Sequence, residues 1–267
     1  MNEFLRRSID YANQKSYLDD LFRVYPAIPE GIREIDDSKW QLVEEYFQSK
    51  KNEELIKLLL KEFKIFPIKD PYVAYLRRDF SAINRNPKTV ARLCGRLYEL
   101  GLSEIYKRIS EPKEINRQIG PMFRNWIKKG SLGLTPVTYE MFISNENNAI
   151  LDGTDTELLL FAKKILGIPK EWDKGFDIIA RFNKKYVIGE AKFLTDFGGH
   201  QDRQLEDALR IFEIKRMNLK KEVIPVAILD GVLYIECNKK MHKKIIGEYS
   251  EENIMSVLVL TEYLYTL

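Results

Sequence analysis

Three polar side chains interrupt two apolar runs in the segment GFDIIARFNKKYVIGEAKF. Asp177 lies in the first run, and Glu190 and Lys192 lie two residues apart in the second. Residues two apart in a β-strand point to the same face, so a tight turn at Asn183-Lys184 would bring Asp177 opposite Glu190, with Lys192 beside it. Two carboxylates suit Mg²⁺, which prefers oxygen ligands, and a neighbouring lysine can orient or deprotonate an attacking water. The pattern therefore indicates metal-assisted hydrolysis of a phosphodiester.

The same three residues also have a purely structural interpretation. An aspartate followed in the next strand by Glu-x-Lys occurs by chance in many proteins, and the three side chains could form a buried ion-pair cluster. The apolar flanks favour a functional site, because a carboxylate within a buried strand is costly unless it is paired or bound to a metal. Asp177 is flanked in this way by Phe176, Ile178 and Ile179.

The elements that must position these residues alternate between helix and strand. A helix capped by Thr154 comes first, and two strands joined by the Asn183-Lys184 turn follow it. A loop from Asp196 to Gly199 leads into the helix HQDRQLEDALRIFEIK, and Asp230-Gly231 is typical of a second hairpin turn. The predicted strands are Phe176–Phe182, Tyr186–Phe193, Ile224–Leu229, Val232–Cys237 and Ser256–Leu260. This order predicts an α/β core with a mixed central β-sheet flanked by helices.

The residues before this core have the pattern of helices joined by short polar segments. Asp70-Pro71 and Asn86-Pro87 are typical helix starts, because a proline at the first helical position loses no hydrogen bond. The second pair opens PKTVARLCGRLYELG, which Gly101 would end, and a further helix would cover Glu114 to Lys129. We therefore predict a mostly helical region at residues 1–140 and an α/β core at residues 141–267.

The charge of the chain is unevenly distributed. The net charge is only +3, but residues 51–130 contain 18 Lys and Arg against 9 Asp and Glu. A cationic segment suits a polyanionic partner, because each neutralised phosphate releases counterions. A solvated helical surface would have the same composition, so charge alone leaves both interpretations open.

The composition argues against several classes of protein. With 267 residues and 45% hydrophobic content, the chain can bury the core of one large domain or two small ones. No apolar run approaches the length of a membrane span, and the first residues lack the apolar stretch of a secretory signal, so we expect a cytoplasmic protein. Cys94 and Cys237 lack the spacing of a zinc site. The sequence also lacks a Walker A motif, so we expect no nucleotide cofactor.

The segments GFDII and IGEAKF resemble the PD-(D/E)XK nuclease superfamily and, within it, type II restriction endonucleases. TDFGGHQDRQLEDAL and PVAILDGVLYIE are similar to these enzymes too, so the resemblance covers roughly residues 150–240, and RNPKTVARLCGRLYELGLSEIYKRISEPKEINRQIGPMFRNW resembles them more loosely. Phe176 stands where the name of the motif has proline, a position that varies widely among these nucleases. The resemblance implies a restriction-endonuclease-like core that uses Mg²⁺, cuts a specific sequence in double-stranded DNA and leaves 5′-phosphates. A palindromic site would call for a homodimer.

By this resemblance, Asp177 and Glu190 would hold Mg²⁺ and Lys192 would serve the attacking water. Glu157 is a fourth candidate catalytic residue, because some relatives place an extra carboxylate on the helix before the first core strand. An acidic residue also favours a helix N-terminus for purely electrostatic reasons, so two interpretations of Glu157 remain open.

Two regions are expected to contact DNA. The loop and helix start after Lys192 offer donors and acceptors for base edges, and a glycine there would let the backbone approach closely. These candidates are Asp196, Gly199, His200, Gln201, Asp202, Arg203 and Gln204. Basic residues of the helical region could bind phosphates, although each alone also fits a solvated surface. These candidates are Arg85, Lys88, Arg92, Arg96, Arg117 and Arg124.

Three other functions remain compatible with the sequence. The first is a nuclease of the same fold that acts on DNA structure in repair or recombination. The second is a DNA-binding protein without cleavage, against which the complete set of Asp177, Glu190 and Lys192 argues. The third is a protein unrelated to nucleic acids in which the three side chains form buried ion pairs.

Overall fold

A computed structural model describes residues 1–14, 16–26, 34–111 and 119–267. The chain forms two compact units. The first comprises Met1–Ala27 and Ile115–Leu267, and the second comprises Ile28–Glu114. Each unit has its own cluster of buried hydrophobic side chains.

The first unit is built on a mixed sheet whose strands are β1 (Ala149–Ile150), β2 (Ile178–Phe182), β3 (Lys185–Leu194), β4 (Val223–Gly231) and β5 (Ile254–Met255). Their order in the sheet is β1-β2-β3-β4-β5. The first two strand pairs are antiparallel, whereas β3 pairs with β4 and β4 with β5 in parallel. The predicted α/β class with a mixed central sheet is confirmed.

Helices flank this sheet. In the first unit they are α1 (Glu3–Ala12), α2 (Tyr17–Val24), α8 (Ile119–Lys128), α9 (Tyr139–Ser144), α10 (Asp155–Phe161), α11 (Gly199–Leu209), α12 (Lys240–Ile246) and α13 (Val257–Thr266). A π-helical turn, Ala162–Leu166, extends α10, and a 3-10 helix, Arg210–Arg216, extends α11. In the described part of the chain, every helix is too short or too polar for a bilayer span.

The second unit is helical. Its helices are α3 (Asp37–Gln48), α4 (Asn52–Glu62), α5 (Pro71–Arg78), α6 (Ser81–Arg85) and α7 (Pro87–Ser110). The two prolines occupy the first helical positions, as predicted, because a proline there has no hydrogen bond to lose. Gly101 breaks α7 with a φ of 76°, a conformation that a glycine adopts without steric cost.

The β2-β3 hairpin brings the predicted chemical groups together. Asn183 (φ 46°) and Lys184 (φ 66°) both adopt left-handed backbone conformations, as a two-residue turn of type I′ requires. In the resulting register Ile178 lies opposite Gly189. A Cβ atom on Gly189 would lie 2.5 Å from Cγ2 of Ile178, so this central strand needs a glycine at that position. The predicted hairpin is therefore present, with its turn at the predicted residues.

The second predicted hairpin is wrong. β4 pairs in parallel with β3 as far as Gly231, and the chain then leaves the sheet in a short 3-10 helix, Val232–Tyr234. Asp230 does not serve a turn, because it is fully buried and accepts hydrogen bonds from Tyr25 and Ser256. The predicted strand Val232–Cys237 is consequently absent from this part of the described chain.

The last predicted strand is displaced. The prediction was Ser256–Leu260, whereas the strand in this region is β5 (Ile254–Met255). The residues from Val257 onward form α13, whose N-terminus is capped by the Ser256 hydroxyl. Val257, Val259 and Leu260 are all buried. A short apolar run buried on several sides does not reveal from its periodicity whether it is a strand or a helix.

The two units divide the chain differently from the predicted boundary at residue 140. The N-terminal helix α1 packs against β5 and α13, α2 packs against α13 and α8, and α8 packs against β3. These three helices therefore belong to the unit that contains the sheet. Their amphipathic sequences predict an apolar face but not the core against which that face packs.

Candidate active site

Asp177 and Glu190 lie opposite each other at the open end of the β2-β3 hairpin. Asp177 immediately precedes β2, and its N–H donates to the carbonyl of Gly189 in β3 at 2.9 Å. Its Oδ2 accepts a hydrogen bond from the N–H of Ala191 at 2.8 Å. These two bonds hold the Asp177 carboxylate against β3, beside Glu190 and Lys192.

The Glu190 carboxylate faces two ammonium groups. Its side chain is only 6% exposed. Lys192 Nζ donates to Oε1 of Glu190 at 2.5 Å, and Lys174 Nζ lies 3.2 Å from the same oxygen. Glu190 therefore lies in a buried ion-pair cluster as well as beside a second carboxylate.

The pKa values of the two carboxyl groups reflect this crowding. Burial raises the pKa of Asp177, and the N–H of Ala191 and the charge of Lys192 oppose that rise. Burial and the charge of Asp177 raise the pKa of Glu190, while Lys192 and Lys174 oppose it. Burial has the largest single influence on the pKa of Lys192 and acts to lower it, but Glu190, Asp177 and Asp207 together raise the pKa above its usual value. A cation between the two carboxylates would relieve the repulsion between them.

The donor set fits Mg²⁺. Among the described residues, no hydrogen bond reaches Oδ1 of Asp177 or Oε2 of Glu190, so each carboxylate keeps one oxygen for a ligand. Within the same residues, no three His, Cys, Asp or Glu side chains cluster as a metal centre. Two carboxylates are nevertheless sufficient for Mg²⁺, because this ion usually keeps several water ligands.

An open cleft with a volume of about 1420 Å³ lies beside α8 and α10. Its wall includes Arg124 and Lys128, which also line a small pocket with Asp177 on its wall. Arg124 pairs with Asp155, and Lys128 lies 3.0 Å from Asp152. The charge of Arg124 lowers the pKa of Asp177 and the charge of Asp155 raises it. The predicted phosphate-binding residue Arg124 is thus close to the candidate catalytic carboxylates.

The family model of the Tsp45I type II restriction enzyme matches residues 2–267, which is nearly the whole chain. The chain belongs to the Tsp45I type II restriction enzyme family. Among curated proteins, none matches this chain. Membership confirms the resemblance to type II restriction endonucleases and makes the protein a nuclease of a restriction system, with DNA as its substrate.

In this Tsp45I-family chain Glu157 occupies a capping box. Its Oε2 accepts hydrogen bonds from the Thr154 N–H (2.7 Å) and hydroxyl (2.8 Å), and the Glu157 N–H donates to the Thr154 hydroxyl in return. Asp155, rather than Glu157, is the carboxylate of α10 whose charge acts on Asp177. The structure therefore supports the helix-terminus interpretation of Glu157 and does not bring this residue together with the other three.

The candidate base-reading residues of this restriction enzyme lie on the loop after β3 and the first turns of α11. Asp196, Gly199, His200 and Arg203 are exposed, and the other three are partly buried. Several of these side chains contact one another or the local backbone. Gln201 donates to the Thr195 hydroxyl at 3.1 Å, and Gln204 lies 3.0 Å from the His200 ring.

All three candidate phosphate-binding arginines of the second unit already have acidic partners. Arg92 contacts Asp70 at 2.6 Å, Arg96 lies 3.7 Å from the same carboxylate, and Arg85 contacts Asp79 at 2.6 Å. Lys88 is exposed, and it has no ion pair within the described residues. Arg117 lies outside the described residues.

Sequence reasoning missed two residues of this site. Lys174 lies in the loop before β2, and Asp155 lies at the start of α10. Neither belongs to a spacing pattern that includes Glu190 or Asp177, because each reaches the site from another element. The only local signal was a lysine three residues before Asp177, which is too common to be informative.

Proposed function

We propose that this Tsp45I-family protein is a Mg²⁺-dependent endonuclease with a PD-(D/E)XK active site made of Asp177, Glu190 and Lys192. It would cut both strands of double-stranded DNA at a specific sequence. The observation that supports the proposal is the convergence of a buried carboxylate (Glu190), a partly buried one (Asp177) and a lysine at the open end of one hairpin, beside a cleft with basic residues. This is the set of groups that hydrolysis of a phosphodiester requires.

Asp177 and Glu190 would hold the metal through the oxygens that receive no hydrogen bond from the described residues, Oδ1 and Oε2. Bound Mg²⁺ would supply Lewis-acid stabilisation of the phosphate and a lower pKa for the attacking water. The Ala191 N–H on Oδ2 of Asp177 keeps that carboxylate oriented. The protein thus contributes fixed oxygens and leaves the remaining coordination to water and phosphate.

Lys192 would serve the attacking water. Its ammonium group contacts Glu190 and is partly exposed, with 27% of the side chain accessible, so it can reach a water at the edge of the site. Water would attack phosphorus and pass its proton to solvent, the bond from phosphorus to the 3′ oxygen would break, and the 3′ oxygen would take a proton from solvent. The products would be a 5′-phosphate and a 3′-hydroxyl. Arg124, at the wall of the cleft, would bind a phosphate of the substrate and thereby give up its partner Asp155.

Sequence readout would come from the residues at the start of α11, and homodimerisation would place one active site on each strand of a palindromic sequence. β3 carries Glu190 and Lys192 and leads through a short loop into α11. The residues that contact bases would thus follow Glu190 and Lys192 on the same continuous segment, separated from them by only a short loop. Basic side chains of the second unit would add phosphate contacts.

Cleavage of long plasmid or phage DNA tests the proposal. With Mg²⁺ the purified protein should give discrete bands whose ends carry 5′-phosphates, and EDTA or Asp177→Asn should abolish them. A smear would instead indicate a nuclease without sequence specificity. Absence of cleavage on many DNAs with both Mg²⁺ and Mn²⁺ would refute the enzymatic assignment of these three residues.

A further inference from the structure

Lys174 is a second lysine at the Glu190 carboxylate, and it is less exposed than Lys192. Its side chain is only 12% exposed. The ammonium group lies 3.2 Å from Oε1 of Glu190 and 2.9 Å from Oδ2 of Asp207, and it also donates to the backbone carbonyl of Asp207. The ammonium group is thus held by two ion pairs and one hydrogen bond. One side chain therefore joins β3 to α11.

The loop that carries Lys174 is itself held in place. The carbonyl of Lys174 accepts a hydrogen bond from the indole N–H of Trp172 at 2.8 Å. The Trp172 ring stacks on Phe176 with an interplanar angle of 9°, and the guanidinium carbon of Arg210 lies over the Trp172 ring at 5.6 Å from its centroid. Both the backbone and the ammonium group of Lys174 are thus fixed before any substrate binds.

Lys174 and Lys192 differ in what else they contact. Both reach Oε1 of Glu190, but among the described residues Lys192 has Glu190 as its only hydrogen-bond partner, whereas Lys174 is also anchored at Asp207. If Lys192 turns towards an attacking water, Oε1 loses one of its two ammonium partners. Lys174 would remain and keep Glu190 in the same orientation.

We propose that Lys174 is a positioning residue of the cleavage reaction, which fixes the Glu190 carboxylate by tying it to Asp207 of α11. This inference rests on the proposed function of Glu190. Lys174 would not contact the substrate itself. Its role is to preserve the direction of Oε2 while Lys192 is engaged elsewhere, because small displacements of a reacting group have large effects on rate.

Variants of Lys174 test this role when rate and binding are measured separately. Lys174→Met should reduce the single-turnover rate at saturating DNA and Mg²⁺ by about tenfold or more, while DNA affinity measured with Ca²⁺ stays within about threefold of wild type. Lys174→Arg, which keeps a buried cation of similar length, should recover most of the rate. Lys221→Met is the charge-matched control, because it removes a lysine charge at an exposed position of the loop before β4, away from the lining of the cleft.

A crystal structure of metal-free Lys174→Met gives a readout that does not depend on activity. We expect the Glu190 carboxylate to leave its wild-type orientation in that variant and to keep it in Lys174→Arg. An unchanged Glu190 together with an unchanged rate would overturn the inference. So would a loss of DNA affinity equal to the loss of rate.

Asp207→Ala provides a second test if Lys174→Met folds poorly, because the Asp207 side chain is about half exposed (48%). This variant should slow cleavage in the same direction, and Lys174→Met should have a smaller additional effect in the Asp207→Ala background, as expected for residues that act through one contact. Asp173→Ala, which removes an exposed carboxylate paired with Arg210, is its control.

The failure of this inference and the failure of the proposed function give different results. Only the present inference fails if wild type cuts DNA, Asp177→Asn abolishes cutting, and the Lys174 and Asp207 variants cut as fast as wild type. If wild type does not cut at all, the proposed function fails instead.

Discussion

At the scale of single residues, the proximity of Asp177 and Glu190 is unfavourable unless a cation lies between them. The charge of Asp177 contributes to the raised pKa of Glu190, and burial raises both pKa values. Glu190 has two ammonium partners, whereas Asp177 has one backbone N–H. The metal-free protein should therefore gain stability most readily when Asp177 loses its charge.

Asp177→Asn should raise the free energy of unfolding of the metal-free protein by about 1 kcal/mol, because it removes the repulsion while its amide oxygen can still accept from Ala191. The same variant should lose cleavage and keep specific DNA binding in Ca²⁺. Glu190→Gln should also lose cleavage without the gain in stability, since it breaks contacts with Lys174 and Lys192. Urea unfolding and cleavage assays check both variants. If the cluster were purely structural, Asp177→Asn would cost stability and leave residual cleavage.

A second buried carboxylate, Asp230, predicts a pH dependence of stability. Its side chain accepts hydrogen bonds from Tyr25 (3.0 Å) and Ser256 (2.5 Å), and burial raises its pKa from 3.8 to about 6. Between these values the folded protein keeps a proton that the unfolded chain releases. The contribution of Asp230 to stability is therefore full below about pH 4 and is lost as the pH rises through about 6.

Comparison with Asp230→Asn isolates this effect, because the amide does not titrate. The free energy of unfolding of wild type relative to the variant should fall by about 3 kcal/mol between about pH 4 and pH 7. Urea unfolding at a series of pH values measures it. A difference that stays constant across this range would contradict the assignment to Asp230.

At the scale of elements, Glu157 has a structural explanation in the capping box at the N-terminus of α10. The Glu157 carboxylate accepts two hydrogen bonds from Thr154, and these lower its pKa. The start of the helix thus depends on Glu157, and the capping box explains its position without a catalytic role.

Two substitutions at Glu157 separate the alternatives. Glu157→Ala should lower the free energy of unfolding by about 1 kcal/mol, because the reciprocal cap is lost, and should leave the cleavage rate unchanged. Glu157→Gln should match wild type in both respects, since glutamine also completes a capping box. Loss of cleavage in Glu157→Gln with a normal thermal melt would instead place this residue in the active site.

At the scale of the whole molecule, the structure changes which basic residues best test the proposed phosphate contacts. Arg92 and Arg96 share Asp70, whose side chain is only 5% exposed. Reversing their charge would disrupt this buried partner as well as any DNA contact. Lys88 and Lys129 are exposed and have no ion pairs within the described residues, so they provide a cleaner measurement.

Lys88→Glu and Lys129→Glu should each weaken DNA binding in Ca²⁺ by a similar factor for specific and unrelated sequences, because phosphate contacts carry no sequence information. The slope of log affinity against log salt should become shallower by about one for each contact removed. Thermal melts should stay at the wild-type value. If affinity and salt slope are unaffected, the basic helical segment does not bind the DNA backbone.

The sequence by itself determined the features that depend on neighbours along the chain. Asn183-Lys184 required a tight turn, strand alternation placed Glu190 and Lys192 on one face, and the turn then brought Asp177 opposite Glu190. The helix starts at Pro71 and Pro87 followed from the geometry of proline. Each of these depends on interactions within about twenty residues, for which residue type and spacing are sufficient.

Only the tertiary structure decided which distant elements meet. Asp230-Gly231 has the composition of a turn, but these two residues are the last of β4. They stay in that strand because β4 pairs in parallel with β3 and because Asp230 is buried. Lys174 reaches Glu190 because the loop before β2 packs beside α11. α1, α2 and α8 joined the unit that contains the sheet because its core was the surface available to their apolar faces. Amphipathic periodicity shows which face of a helix is buried. The element against which that face packs depends on long-range contacts, which the local sequence does not predict.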